Sequence, residues 1–126
     1  MAYRFFNPNP QGKFVGDCTI RAICAASGLS WYEVHRQLCD LSRSMADMPS
    51  SDKVWWELLY LYGFEKIQLL NICPDCYTIS DFAHEHPNGI FVLGPKEHAV
   101  SVIDGDWFDT WDSGATIPSY YLRRLK

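Results

Sequence analysis

The chain has 126 residues, a length that fits one domain. Its 11 Lys and Arg against 15 Asp and Glu give a net charge of −4, which disfavours binding to nucleic acid or to an anionic membrane surface. An aromatic content of 15% argues against disorder, and no apolar run approaches the roughly 18 residues of a membrane span.

Cysteine usage and the start of the chain bear on its compartment. The five cysteines are an odd number, and the first residues lack the charged-then-apolar pattern of a signal peptide. We therefore expect a single domain over residues 1–126 with free thiols, located in the cytoplasm.

Three helices are predicted in the first half of the chain, after a loop rich in proline and glycine over residues 7–12. Glycine and serine residues stand at their ends, as stop and cap residues commonly do. Ser30 and Glu33 predict a capping box at the start of the second helix. The predicted ranges are about 18–27, 31 to 42 or 44, and 52–62.

Short strands are predicted in the second half, where apolar residues alternate with polar ones. Their predicted ranges are 64–72, 90–93, 98–103 and 106–112, with a short helix from residue 78 or 80 to about 84. Residues 117–125 are compatible with an edge strand or with one helical turn. This order predicts an α+β fold in which N-terminal helices pack on a C-terminal antiparallel sheet.

Cys18 stands on the predicted first turn of the first helix, directly after Gly16 and Asp17. The unpaired amides and the positive dipole end of a helix favour the thiolate, which is the nucleophilic form of cysteine. The alternative is a buried helical cysteine that fills space as a small apolar residue.

A nucleophilic cysteine needs a base, and the base needs an orienting partner. Among the four histidines, only His98 begins a predicted core strand. Asp104 and Gly105 predict a two-residue hairpin turn after that strand. Counting back from this turn places Asp109 diagonally opposite His98 on the same face. Asp112 is the alternative partner if a bulge shifts the register.

These segments resemble the papain-like cysteine peptidases. His98-Ala99-Val100 is similar to the His-Ala-Val that begins their catalytic strand, and Asp109-Thr110-Trp111 is similar to their Asn-Ser-Trp. Gln11-Gly12 resembles their oxyanion-hole glutamine and glycine. Residues 16–23 and 105–114 further resemble small papain-like proteins of phages and bacteria, and the layout is similar to that of compact bacteriocin-leader peptidases.

The resemblance implies a papain-like fold and a cysteine hydrolase that uses no cofactor. Cys18 would be the nucleophile, His98 the general base and then acid, and Asp109 the orienting carboxylate. Gln11 and the backbone amide of Cys18 would hold the oxyanion, and Trp111 would shield the His–Asp hydrogen bond from water. The substrate would be a peptide or protein, cleaved at a peptide, isopeptide or related acyl bond.

Two other classes of function fit parts of the sequence. Cys73 and Cys76, with His84 and His86 downstream, form a possible zinc site of an interaction module. A papain-like fold that binds a partner without turnover would keep the same residues around a closed cleft.

Overall fold

Four α-helices and six β-strands form in the described part of the chain, residues 1–70 and 76–124 of the computed structural model. In chain order they are β1 (Tyr3–Phe5), α1 (Cys18–Ser27), α2 (Trp31–Met45), α3 (Asp52–Leu61), β2 (Phe64–Gln68), α4 (Ile79–Glu85), β3 (Ile90–Pro95), β4 (Val100–Ile103), β5 (Asp106–Asp109) and β6 (Pro118–Arg124). The fold class is α+β, as predicted. Within these residues no helix is long and apolar enough to cross a membrane.

The helices begin and end close to the predicted positions because their caps are local. Gly28 ends α1 in the left-handed conformation, with φ of 78°, and its amide bonds the carbonyl of Cys24. The Ser30 hydroxyl accepts from the Glu33 amide at the start of α2. The Glu33 carboxylate contacts Arg36 and Gln37 instead, so only half of the predicted capping box forms.

The six strands form one mixed sheet in the order β1-β5-β4-β3-β6-β2. The prediction of a purely antiparallel, C-terminal sheet is wrong, because β1 pairs with β5 in parallel. The N-terminal amine and the Arg4 side chain both bind the Asp106 carboxylate at the start of β5. Three residues are too few to show a periodic pattern, which explains why the sequence did not predict β1.

The C-terminal segment forms β6, which lies between β3 and β2 and is not the edge strand that was one of its two predicted forms. The strand predicted over residues 64–72 ends earlier, at Gln68, and its last two predicted positions lie outside the described residues.

The hairpin of β4 and β5 has the predicted register. Ile103 pairs with Asp106 and Val102 with Trp107. The turn residues Asp104 and Gly105 both have positive φ, 50° and 83°, as a two-residue hairpin turn that follows the strand twist requires. The strands are shorter than predicted, so His98 lies just before β4 and Asp109 closes β5.

The sheet separates two groups of buried apolar residues. Val92 packs with α1, α2 and α3, whereas its neighbour Leu93 packs with α4. Because successive side chains of a strand point to opposite faces, the three N-terminal helices cover one face and α4 covers the other. Helix α1 packs on β3, β4 and β5. This contact brings the first turn of α1 to the start of β4, beside His98 and Ala99.

Candidate active site

Cys18 is the first residue of α1, and its side chain is half-buried. Asp17 occupies the N-cap position but makes no side-chain cap, because its carboxylate bonds Arg21 and Trp31. Because the Asp17 carboxylate does not cap the helix, it leaves the first-turn amides free of its negative charge. These amides keep their partial positive charge beside the thiol.

His98 closes a turn that leads into β4, with its amide bonded to the carbonyl of Pro95. Its Nε2 lies 2.7 Å from Oδ2 of Asp109, and only 13% of its side chain is exposed. The Trp111 ring lies 5.1 Å from the imidazole, centroid to centroid, at an interplanar angle of 31°. The tryptophan ring therefore packs against one side of the imidazole.

The thiol and the imidazole stabilise each other's charged forms. Burial raises the pKa of Cys18, but hydrogen bonding to His98, the imidazolium charge, the Ala99 amide and the charge of Arg21 together lower it below the usual range. Burial lowers the pKa of His98, but the hydrogen bonds and charges of Asp109 and Cys18 raise it to about 9. Both shifts favour a thiolate–imidazolium pair over the neutral thiol and imidazole. Since Nε2 of His98 is engaged by Asp109, Nδ1 is the ring nitrogen left for the sulfur.

Asp109 is fully buried, and both of its carboxylate oxygens are occupied. Oδ2 accepts from His98 and from the Ser113 hydroxyl, each at 2.7 Å. Oδ1 accepts from the Thr110 amide at 2.8 Å and from Arg21 at 3.0 Å. Burial raises the pKa of Asp109, but the hydrogen bonds from His98, Ser113 and Thr110 and the charge of His98 outweigh that effect, and the pKa is lowered.

The alternative orienting residue, Asp112, lies elsewhere. Its Oδ1 accepts from the Trp107 indole at 2.8 Å and from the Gly114 amide at 3.0 Å. The structure thus pairs His98 with Asp109, at the position that the hairpin register predicted.

Cys18 and His98 both line a groove of about 520 Å³. Its other lining residues include Trp55 and Tyr120, together with the charged Asp52, Lys96 and Glu97. A second hollow of about 520 Å³ contains His98 but not Cys18, and is lined by Trp111, Ala115, Thr116 and Ile117 beyond the shared turn of residues 95–98. The imidazole therefore stands between two hollows, and the thiol opens into one of them.

Gln11 is exposed and is absent from the described residues that line either hollow. Its backbone amide donates to Oδ1 of Asn9, which also accepts from the Lys13 amide. These contacts fold the loop onto itself, and the structure does not bring Gln11 together with Cys18, His98 and Asp109.

The described residues of the possible zinc site, Cys76, His84 and His86, do not form a metal cluster. Cys76 is disulfide-bonded, which is at odds with the expected free thiol and removes a thiolate ligand, and Cys73 lies outside the described residues. His84 is exposed on α4, whereas His86 stacks on Phe82 at 3.8 Å. No group of three or more His, Cys, Asp or Glu side chains suited to a metal ion occurs in residues 1–70 and 76–124.

Three residues of this site were not identified from the sequence: Asp17, Arg21 and Ser113. Arg21 stood out only as a polar residue on a mostly apolar helix. Its spacing of four residues from Asp17 was the available signal, because such a pair shares one helix face. Nothing local connected Arg21 or Ser113 to Asp109, since both contacts depend on the packing of α1 and of the segment after β5.

The lowered pKa of Cys18 predicts a distinctive pH profile for alkylation by iodoacetamide. An ordinary thiol loses roughly 100-fold of its thiolate between pH 8 and pH 6. Because its pKa is lowered, Cys18 should lose a smaller share of its thiolate over the same range, as followed by mass spectrometry of the modified peptides. Cys24, whose pKa burial raises to about 12, should stay unmodified. N-acetylcysteine serves as the matched free thiol, and a Cys18 profile parallel to it would contradict the thiolate assignment.

Comparison with protein-family models, with curated proteins and with solved structures finds no match to this chain.

Proposed function

We propose that this protein is a cysteine hydrolase of the papain-like type, which cleaves a peptide, isopeptide or related acyl bond with Cys18, His98 and Asp109. The observation that carries the proposal is a thiol of lowered pKa and an imidazole of raised pKa, both open to one groove. A buried carboxylate 2.7 Å behind the imidazole completes the arrangement. These are the three parts that nucleophilic catalysis by cysteine needs.

A papain-like fold is part of the proposal. Its support is the chain order of Cys18, His98 and Asp109, and the position of the thiol at the start of a helix. That helix packs on the antiparallel strands β3, β4 and β5, and the other two residues lie at the same end of the β4–β5 hairpin.

In the proposed mechanism, the Cys18 thiolate attacks the carbonyl carbon of the substrate and the carbonyl π electrons move to oxygen. The imidazolium of His98 then gives its proton to the leaving group as the bond to it breaks, which leaves an acyl-thioester on Cys18. Neutral His98 next takes a proton from water, whose oxygen attacks the thioester. Collapse of this second adduct breaks the carbon–sulfur bond, frees the acid and expels the Cys18 thiolate, which restores the thiolate–imidazolium pair.

The oxyanion needs hydrogen-bond donors close to the sulfur. The backbone amide of Cys18 was one predicted donor, and Gln11 was the other. Because Gln11 is exposed and is not among the described residues that line the groove, we assign the second role to the next first-turn amide, that of Thr19, which lines the groove. A helix N-terminus directs such amides toward an anion.

The two hollows suggest how a substrate lies across the site. The acyl part must reach Cys18, so it occupies the groove that contains Trp55 and Tyr120. The leaving group takes its proton from His98, so it occupies the hollow beside Trp111 and Ile117. Both of these last two side chains are exposed, at 48% and 39%, and present apolar surface to that part of the substrate.

The proposal predicts a two-phase reaction with p-nitrophenyl acetate. Cys18 should take up one acetyl group with release of an equivalent of p-nitrophenolate, and water should then release acetate in a slower steady phase. Absorbance follows the phenolate, and peptide mass spectrometry locates the acetyl group. Urea-unfolded protein is the control for intrinsic thiol reactivity.

Two results would contradict this proposal. Acetylation spread evenly over Cys18 and Cys39 would show that the folded site confers no reactivity. Acetyl-Cys18 that persists without hydrolysis would favour the papain-like binding protein over the hydrolase.

A further inference from the structure

The charged contacts of the site extend beyond the three proposed catalytic residues, through Asp109 to Arg21 and Asp17. Arg21 lies between two carboxylates, with one guanidinium nitrogen 2.8 Å from Oδ1 of Asp17 and another 3.0 Å from Oδ1 of Asp109. The exposed fractions of these side chains are 6% for Arg21, 4% for Asp17 and 0% for Asp109. Buried charges of this kind are tolerated only when they are closely paired.

Asp17 contacts one residue of α1 and one of α2, and thereby holds Arg21 in place. It lies one turn before Arg21 in sequence, so the two side chains share one face at the start of α1. Its second oxygen accepts from the Trp31 indole of α2 at 2.9 Å. One terminal nitrogen of the guanidinium is therefore anchored by Asp17, and the other terminal nitrogen binds Asp109.

Arg21 differs from the other three donors to Asp109 because its positive charge is permanent. Thr110 and Ser113 are neutral donors, and His98 changes its charge during the proposed reaction. A guanidinium stays charged at any ordinary pH, so Arg21 supplies a positive charge to the buried carboxylate even when His98 is neutral. It also occupies the oxygen opposite the one that faces His98, which fixes the carboxylate plane.

We propose that Arg21, clamped by Asp17, is a positioning residue that keeps the Asp109 carboxylate ionised and aligned on Nε2 of His98. The role in catalysis rests on the proposed hydrolase function, whereas the effect on His98 does not. Arg21 is not among the described residues that line either hollow, so it acts through Asp109 and touches no substrate. The sequence Asp17-Cys18-Thr19-Ile20-Arg21 thus places the nucleophile and the support of its partner on the same helical turn.

The charged and titratable groups near His98 come from several elements. Cys18 and Arg21 belong to α1, Asp109 to β5 and Tyr3 to β1, with Lys96 and Glu97 on the adjoining turn. The Tyr3 hydroxyl donates to the backbone carbonyl of Asp109 at 3.1 Å. Of these groups, Asp109 and Cys18 raise the pKa of His98.

The proposal predicts the direction in which Arg21→Gln moves the pKa of the His98 ring, measured by NMR titration. A positive charge that merely lies nearby would, on removal, raise that pKa. A positioning residue gives the opposite sign, because an unsupported Asp109 turns away or takes up a proton and the burial of His98 then dominates. We expect a fall from about 9 by at least ~1 unit, with alkylation of Cys18 at pH 6 slowed about 10-fold.

The matched control is Arg36→Gln. Arg36 also pairs with a carboxylate four residues away, Asp40 at 2.9 Å, but on the exposed face of α2. The Arg36→Gln substitution should leave both the His98 titration and the rate of Cys18 alkylation unchanged. Arg21→Lys keeps the positive charge but loses the two-pronged guanidinium, and Asp17→Asn weakens the contact that holds Arg21. Both variants should therefore lower the His98 pKa by less than Arg21→Gln does. These two variants carry the test if Arg21→Gln does not fold.

A double-mutant cycle with Asp109→Asn tests the path of the effect. If Arg21 acts through Asp109, adding Arg21→Gln to Asp109→Asn should slow Cys18 alkylation by less than about 2-fold more. Fully multiplied effects would overturn the proposal, as would a His98 pKa that is unchanged or raised in folded Arg21→Gln. A wild-type Cys18 no more reactive than Cys39 would instead refute the hydrolase, and the NMR titration would still decide the role of Arg21.

Discussion

Replacing Cys18 with alanine is expected to slow hydrolysis of p-nitrophenyl acetate by at least ~10⁴-fold relative to the wild type, down to the background rate. Alanine removes the atom that forms the acyl intermediate. Cys18→Ser should be equally inactive, because a hydroxyl is not ionised by the imidazole as a thiol is. Burst and steady-state rates measure both variants.

The Cys18→Ala variant should also report on its partner. Hydrogen bonding and charge from Cys18 contribute to the raised pKa of His98. NMR titration of the variant should therefore give a pKa below about 9, still raised by Asp109. The helix is otherwise undisturbed, and thermal unfolding should change little.

Cys39→Ala provides the matched control, since Cys39 is a second free and half-buried cysteine on a helix. It also lies near a histidine, with its sulfur 3.7 Å from Nε2 of His35, but no buried carboxylate backs that pair. Full activity is expected. If Cys18→Ala retained more than a few per cent of the burst, the thiol of α1 would not be the nucleophile.

The sequence was sufficient for those parts of the site that follow from local rules. Asp104 and Gly105 specify a two-residue turn, and the turn specifies the register that aligns Asp109 with His98. Gly28 sets the end of α1, and its start follows from the loop before Cys18. Each of these features is determined by residues that are neighbours in the chain or in one hairpin.

The features that sequence reasoning missed depend on contacts between distant segments. The N-terminal amine, the Ala2 amide and the Arg4 side chain hold strand β1 on Asp106, more than 100 positions away. The burial of Arg21 depends on the packing of α1 against β5, which brings Asp109 to the guanidinium. The role of Gln11 came from a motif match, which carried no information on its exposed position or on the Asn9 contacts that fold its loop.

Asp109→Ala is expected to lower the free energy of unfolding by about 3–5 kcal/mol at pH 6. The substitution leaves Arg21 buried with one carboxylate instead of two, and deprives the Ser113 hydroxyl and the Thr110 amide of their acceptor. Asp109→Asn keeps the size and one carbonyl oxygen, so its loss should be smaller. Urea denaturation, with m-values compared between proteins, measures both variants.

Asp106→Ala is the matched control from the same strand. Asp106 also binds an arginine and a backbone amide, but it is close to solvent. Exposed ion pairs contribute little, so the expected loss is about 1 kcal/mol or less. The contrast isolates burial, because the two carboxylates have similar numbers of partners.

The pH dependence of the Asp109→Ala effect distinguishes a charge network from simple packing. The lowered pKa of Asp109 contributes stability that is present above its ordinary value near 3.8 and is lost as pH falls through the folded-state pKa. The raised pKa of His98 contributes stability that is fully present below 6.5 and is lost as pH rises through about 9. The difference between wild type and variant should therefore be widest between about pH 4 and pH 6.5 and should narrow on both sides. A difference that is constant with pH would mean that Asp109 fills space without supporting the imidazolium, and the proposed site would lose its orienting residue.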